Sequence, residues 1–156
     1  MAASTGLPRI VTLKSHPEHM LTVARWIYDE WEHAMAANLD EVVDATLARM
    51  NDDRVPLTLV ALRGGECVGT VGLWEGDLSS RPDLRPWLAA LYVHPAHRST
   101  GVGSALVEAL VSTARGLGIG RLYLHTETAA AYYRNKGWRF LFRTLNDRDE
   151  ETEVFD

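Results

Sequence analysis

The chain has 156 residues, 46% of them hydrophobic, and 16 Lys and Arg stand against 21 Asp and Glu. That length predicts one domain spanning residues 1–156 with a core of its own, residues 1–7 forming a flexible N-terminus. The net charge of −5 argues against wholesale binding of nucleic acid or of an anionic membrane, although an acidic body can still carry a local anion site.

The opening MAASTG has no basic start followed by an apolar stretch, so no signal peptide is expected. Arg9–Lys14 reads as a first strand. Ser15 and Glu18 have capping-box spacing, in which each side chain can satisfy a free amide at a helix start. Behind them Met20, Val23, Ala24, Ile27 and Trp31 fall on one helical face. Asn38 and Glu41 repeat the spacing ahead of a second such face, Leu39, Val42, Val43, Thr46, Leu47 and Met50. After a polar break at Asn51–Pro56, Leu57–Leu62 and Glu66–Trp74 flank Arg63-Gly64-Gly65, a hairpin signal because glycine reaches positive φ cheaply. Cys67 is the one cysteine and reads as a small core residue. Without a partner it predicts no disulfide and a reducing, cytoplasmic compartment.

Gly76–Pro86 is a loop rich in proline, serine and charge. Trp87–Val93 (WLAALYV) is a continuous apolar run, as expected of a strand buried on both faces. Between Gly101 and Leu117 the positions Val102, Leu106, Ala109, Leu110 and Leu117 recur at helical spacing, and Gly116 and Gly118 end the helix. Arg121–His125 is a short strand, Ala129–Lys136 a short helix closed by Gly137, and Trp138–Leu145 with Glu151–Phe155 a last hairpin across an acidic turn. No apolar run approaches the roughly 18 residues of a membrane span. The order β-α-α-β-β-β-α-β-α-β-β predicts an α/β domain on a mixed sheet.

The segment from Val93 to Ser104 joins the buried strand to a helix through a glycine-bearing loop, Arg98-Ser99-Thr100-Gly101-Val102-Gly103-Ser104. Free amides at a helix start carry the positive end of its dipole, glycine lets a phosphate approach the backbone, and Arg98 adds a charge. The Gly-Lys-Ser/Thr of a Walker loop is absent, and Leu106 stands where a dinucleotide fingerprint needs its third glycine. His94 and His97 lack a third ligand nearby, so no metal site is expected.

Arg98-x-x-Gly101-x-Gly103 after LAALYVHP, followed by LYLHT and AYYRNKGW, resembles the GNAT superfamily of N-acetyltransferases. The motifs span Trp87–Phe140, and the element order of nearly the whole chain agrees. The resemblance implies an enzyme that uses acetyl-CoA as donor cosubstrate. The loop amides of Arg98–Ser104 would hold its diphosphate. The pantetheine arm would lie between two splayed parallel strands, here Leu91-Tyr92-Val93 and Leu122–Thr126, with Thr126 offering a hydroxyl. The Leu91 amide would face the acetyl carbonyl, an oxyanion donor placed where charge develops.

Amine acetylation needs a base for the ammonium and an acid for the departing thiolate. Tyr133, four residues before Gly137, matches the family's tyrosine and is the expected acid; Tyr132 points about 100° away around the helix. Many relatives carry a Glu on the strand before the loop, where this chain has Trp87, Leu88, Ala89 and Ala90. His125 is the expected substitute, since an imidazole with a pKa of about 6.5 is suited to accept a proton at neutral pH. Glu75 or Asp77, acting through water, is the other route. Glu75, Asp77 and Trp31 are the expected acceptor contacts, and the acceptor is a primary amine, of a small molecule or a peptide N-terminus. A silent acyl-CoA-binding sensor is the competing reading of the same motifs, and either a monomer or a homodimer fits.

Overall fold

The computed structural model describes residues 6–32 and 37–156. The expectation of a flexible N-terminus lies, for residues 1–5, outside them. Asn38 caps its helix as the sequence predicts. Its Oδ1 accepts from the Glu41 amide at 2.8 Å while its Nδ2 donates to Glu41 Oε1 at 3.0 Å, which starts α2 (Leu39–Ala48). Ser15 does something else. Its hydroxyl donates to the Thr12 carbonyl at 2.8 Å, and the chain passes through a single tight turn, Pro17–His19, into α1 (Met20–Glu30). Proline suits such an entry because its missing amide hydrogen would have had no partner there.

Four antiparallel strands form the first sheet in the order β1 (Arg9–Thr12), β2 (Leu57–Arg63), β3 (Glu66–Trp74) and β4 (Trp87–Val93). Alternate residues of β2 serve two cores. Leu57, Leu59 and Ala61 pack with Leu106 and Leu110 of α3 (Val102–Gly116), whereas Val60 and Leu62 pack with Val23 and Ile27 of α1 and Val42 of α2. An unbroken apolar run is therefore what this strand requires. Gly69 of β3 brings α3 close: a Cβ there would meet Leu106 Cδ1 at 3.0 Å and Val102 Cγ1 at 3.1 Å.

The second sheet has the order β5 (Leu124–Thr126), β7 (Glu151–Phe155), β6 (Phe140–Leu145), also antiparallel, with the short helix α4 (Ala130–Asn135) between β5 and β6. The sheets meet where β4 begins. Trp87 and Tyr123 form a lone parallel bridge, with Leu88 donating to the Tyr123 carbonyl at 2.7 Å and Tyr123 to the Pro86 carbonyl at 3.1 Å. Beyond this bridge β4 pairs only with β3 and β5 only with β7 among the described residues. The expected sheet is thus split into a V whose wide end lies toward Val93. No described helix is long and apolar enough to cross a membrane.

Candidate active site

The register of β3 and β4 changes between Thr70–Tyr92 and Gly72–Ala89, so Ala90 and Leu91 together oppose Val71. This is a β-bulge, and Ala90 takes the left-handed conformation at φ 52° to make it. The bulge flips the pattern of the strand: Ala89 and Ala90 both face the α1 side, while Leu91 faces the α3 side. It also takes the Ala90–Leu91 main chain out of ladder register, at the inner edge of the V.

At the wide end, the chain leaves β4 through a tight turn, Pro95–His97. The Arg98 side chain folds back, its Nε donating to the Val93 carbonyl at 2.9 Å and its guanidinium lying over the Tyr92 ring. Ser99 (φ 61°) and Gly101 (φ 92°) are both left-handed, and Gly101 is the residue before the first turn of α3. No side chain caps this helix start, so its first amides are open to an anion. Gly103 has ordinary space around it, with only Val93 Cγ2 at 3.8 Å from a built Cβ. The conformational demand for glycine therefore falls on Gly101.

The adjacent tyrosines of α4 face different ways, as their spacing predicts. Tyr132 is half-exposed, its hydroxyl paired with Ser104 Oγ at 2.6 Å, and both line a cavity of about 620 Å³ between α3 and α4. Tyr133 is buried against Trp138 and Phe155 and lines a second cavity, of about 600 Å³, on the other side of the V. Burial pushes its phenol up to about 12, so it keeps its proton at neutral pH.

That second cavity brings together Leu91, His125, Thr126, Tyr133, Asp77 and Trp31. Glu75 is exposed and is not among the residues that line it. Thr126 Oγ1 accepts from the Ala129 amide at 2.9 Å and so helps start α4, leaving only its proton for a ligand. The loop after β3 and the β6–β7 turn close the cavity together, Asp147 Oδ1 accepting from the Ser79 hydroxyl at 2.7 Å and its amide at 3.1 Å.

His125 is held from both sides. Nε2 lies 2.9 Å from Asp77 Oδ2, and Nδ1 lies 3.1 Å from Glu127 Oε2 and 2.9 Å from Thr152 Oγ1, whose own hydroxyl donates to Glu127 at 2.6 Å. Burial opposes a charge on the ring, but the bonds to Asp77 and Glu127 outweigh it and raise the pKa to about 9. Burial in turn raises the Asp77 carboxyl, against the pull of His125, while His125 holds Glu127 low. The expected neutral imidazole at pH 7 is therefore corrected: two carboxylates make it an imidazolium. Glu127 and Thr152 went unnoticed in the sequence, since neither belongs to a motif.

Six carboxylates line this cavity, from Glu30, Glu32, Asp77, Glu127, Asp147 and Glu150, against the cations His125 and Arg148.

Comparison with known proteins gives consistent results. The family model for the acetyltransferase (GNAT) family matches residues 20–138. No curated protein sequence matches the chain. Among solved structures, an aminoglycoside 6'-N-acetyltransferase complexed with coenzyme A is similar at TM-score 0.74 and 16% identity, over 94% of each chain. The aminoglycoside 6'-N-acetyltransferase from Enterococcus faecium is similar at TM-score 0.70 and 15% identity, again over 94% of each. Arabidopsis thaliana Naa50, in complex with the bisubstrate analogue CoA-Ac-MVNAL, is similar at TM-score 0.67 and 17% identity, over 96% of this chain and 97% of that one.

Proposed function

The chain belongs to the GNAT acetyltransferase family, and on that premise we propose that it transfers acetyl from acetyl-CoA directly to the primary amine of a small cationic acceptor. The observation that carries the reading is the V between β4 and β5, with uncapped amides at its wide end and one cavity holding Leu91, Tyr133 and Asp77. Acetyl-CoA, when bound, supplies the acyl group and a thiolate leaving group.

The residues fit that cosubstrate. The loop Arg98–Ser104 offers the diphosphate its open amides, and Arg98 a nearby charge. The edges of β4 and β5, no longer paired to each other, receive the pantetheine amides along Leu91–Val93. The Leu91 amide, out of ladder register at the bulge, would donate to the acetyl oxygen as charge builds there. Tyr133 holds a proton for the thiolate. The acceptor's ammonium proton goes to Asp77, whose side chain lines the cavity 2.9 Å from His125 Nε2 and whose carboxyl burial makes more basic than usual.

The carboxylate excess supports a cationic acceptor, through attraction to an ammonium before it loses its proton. The similar aminoglycoside enzymes agree with this reading, and the structure bound to a peptide analogue marks the competitor. Thiol release measured across aminoglycosides, polyamines, monoamines and peptide N-termini tests it. Turnover highest on the multiply charged small amines is expected. Turnover confined to peptide N-termini overturns the acceptor class, and none with any amine overturns the transfer itself.

A further inference from the structure

Arg63, the last residue of β2, lies behind the anion loop. It is 7% exposed, yet no carboxylate lies within ion-pair distance of it among the described residues. None of its partners is a carboxylate. Nη1 donates to Thr100 Oγ1 at 2.8 Å and meets His97 Nδ1 at 3.3 Å, Nη2 donates to the Thr100 carbonyl at 3.2 Å, and Nε donates to the Gly6 carbonyl at 2.9 Å. Thr100 in turn donates its hydroxyl to the His97 carbonyl.

A buried guanidinium without a counter-charge is strongly disfavoured. Here the charge is spent on a segment of seven residues whose two left-handed members, Ser99 and Gly101, bracket Thr100. Arginine suits the task because its planar fork reaches the hydroxyl and the carbonyl of one residue from two separate nitrogens, where an ammonium offers one. The hydrogen bonds tie the loop at Thr100, one residue before the uncapped start of α3 at Gly101.

We propose that Arg63 is a positioning residue for the diphosphate of the acyl donor: through Thr100 it holds the Arg98–Ser104 loop in its binding shape, and the ligand's diphosphate supplies the counter-charge that the protein withholds. The inference rests on the reading of this loop as the coenzyme A site. It concerns a residue on the hairpin behind the loop, outside the glycine motif.

The test is a set of titrations with CoA, 3'-dephospho-CoA and pantetheine, calorimetric for the first two and by NMR for the weak third. The proteins are the wild type, Arg63→Met, Arg63→Lys and Thr100→Val, each with its melting temperature. Arg63→Met is expected to weaken CoA and dephospho-CoA equally, by about tenfold, and to leave pantetheine within twofold. Arg63→Lys should recover part of that loss, by returning the charge without the fork, and Thr100→Val should lose about threefold on the diphosphate ligands alone. Equal losses on all three ligands, or unchanged CoA affinity in folded variants, overturn the proposal and leave Arg63 a structural anchor. Should Arg63→Met not fold, Arg63→Lys and Thr100→Val carry the same ligand comparison. Wild-type protein that binds no CoA at all instead overturns the reading of the loop.

Discussion

The two working regions of this molecule act by different means. The loop Arg98–Ser104 is one contiguous segment that presents main-chain amides, and its demands are conformational: two left-handed residues and an uncapped helix start. The cavity on the other side of the V presents side chains. Tyr133, His125, Asp77 and Glu127 come from α4, β5 and two loops, and their chemistry depends on which of them share protons. The first region should be broken by changes in φ and, apart from the Thr100 hydroxyl that Arg63 holds, tolerate loss of side chains. The second should keep its shape under small substitutions and lose its chemistry.

The largest effect expected is that of Asp77→Asn, which keeps the volume and removes the proton acceptor. Turnover at neutral pH should fall about a hundredfold, within the range of general base catalysis, while CoA affinity measured by calorimetry stays within twofold. The pH profile sharpens this. With a weakly basic amine, the wild-type rate should rise on a limb above the ordinary carboxylate range, because Asp77 is raised by burial. A limb at about 9, the value of His125, would instead make the imidazole itself the acceptor.

Tyr133→Phe comes next, with a fall of roughly tenfold in turnover and unchanged CoA affinity. Tyr132→Phe removes only the bond to Ser104 and should spare turnover at saturating donor. Equal losses in the two variants would contradict the division of the tyrosines between two cavities.

On the loop side, Gly101→Ala places a Cβ at φ 92°. The strain of roughly 1–2 kcal/mol should appear as weaker CoA binding, up to about tenfold, with turnover at saturation nearly intact. Ser99→Gly has the opposite sign, since it relieves a left-handed serine, and a slightly higher melting temperature is expected.

The smallest effect concerns His125 as an ion-pair partner. Its pKa is raised from 6.5 to about 9, so its contribution to stability is fully present below the unfolded value of about 6.5 and is lost as pH rises through about 9. Melting temperatures recorded from pH 6 to 10 should therefore fall more steeply for the wild type than for His125→Gln. Parallel curves would show that His125 is not charged in the folded protein.

The loop was legible in the sequence because its signals are local. Arg98, Gly101 and Gly103 follow an apolar strand and open a periodic helix, and an anion site at a helix start needs nothing more distant. Tyr133 was legible through its distance from Gly137. The Ser15 box failed because Thr12, three residues earlier, offers the hydroxyl a closer carbonyl and Pro17 already suits the turn. Glu75 directly follows β3 and is exposed, and strand periodicity alone does not say which side such a residue serves. Asp77, two residues on, is turned inward.

The sequence by itself determined the order of elements, the hairpins and the glycine-bearing turn into α3, since periodicity, glycine and proline act over a few residues. Tertiary structure decided the rest. The bulge at Ala90–Leu91 exists only against β3. The pKa of His125 is raised only because Asp77 and Glu127 reach it from opposite sides. Arg63 reads as a hairpin residue until Thr100 is found against it. Protonation and charge compensation depend on burial and on neighbours tens of residues away in the chain, and those distances close only when the fold does.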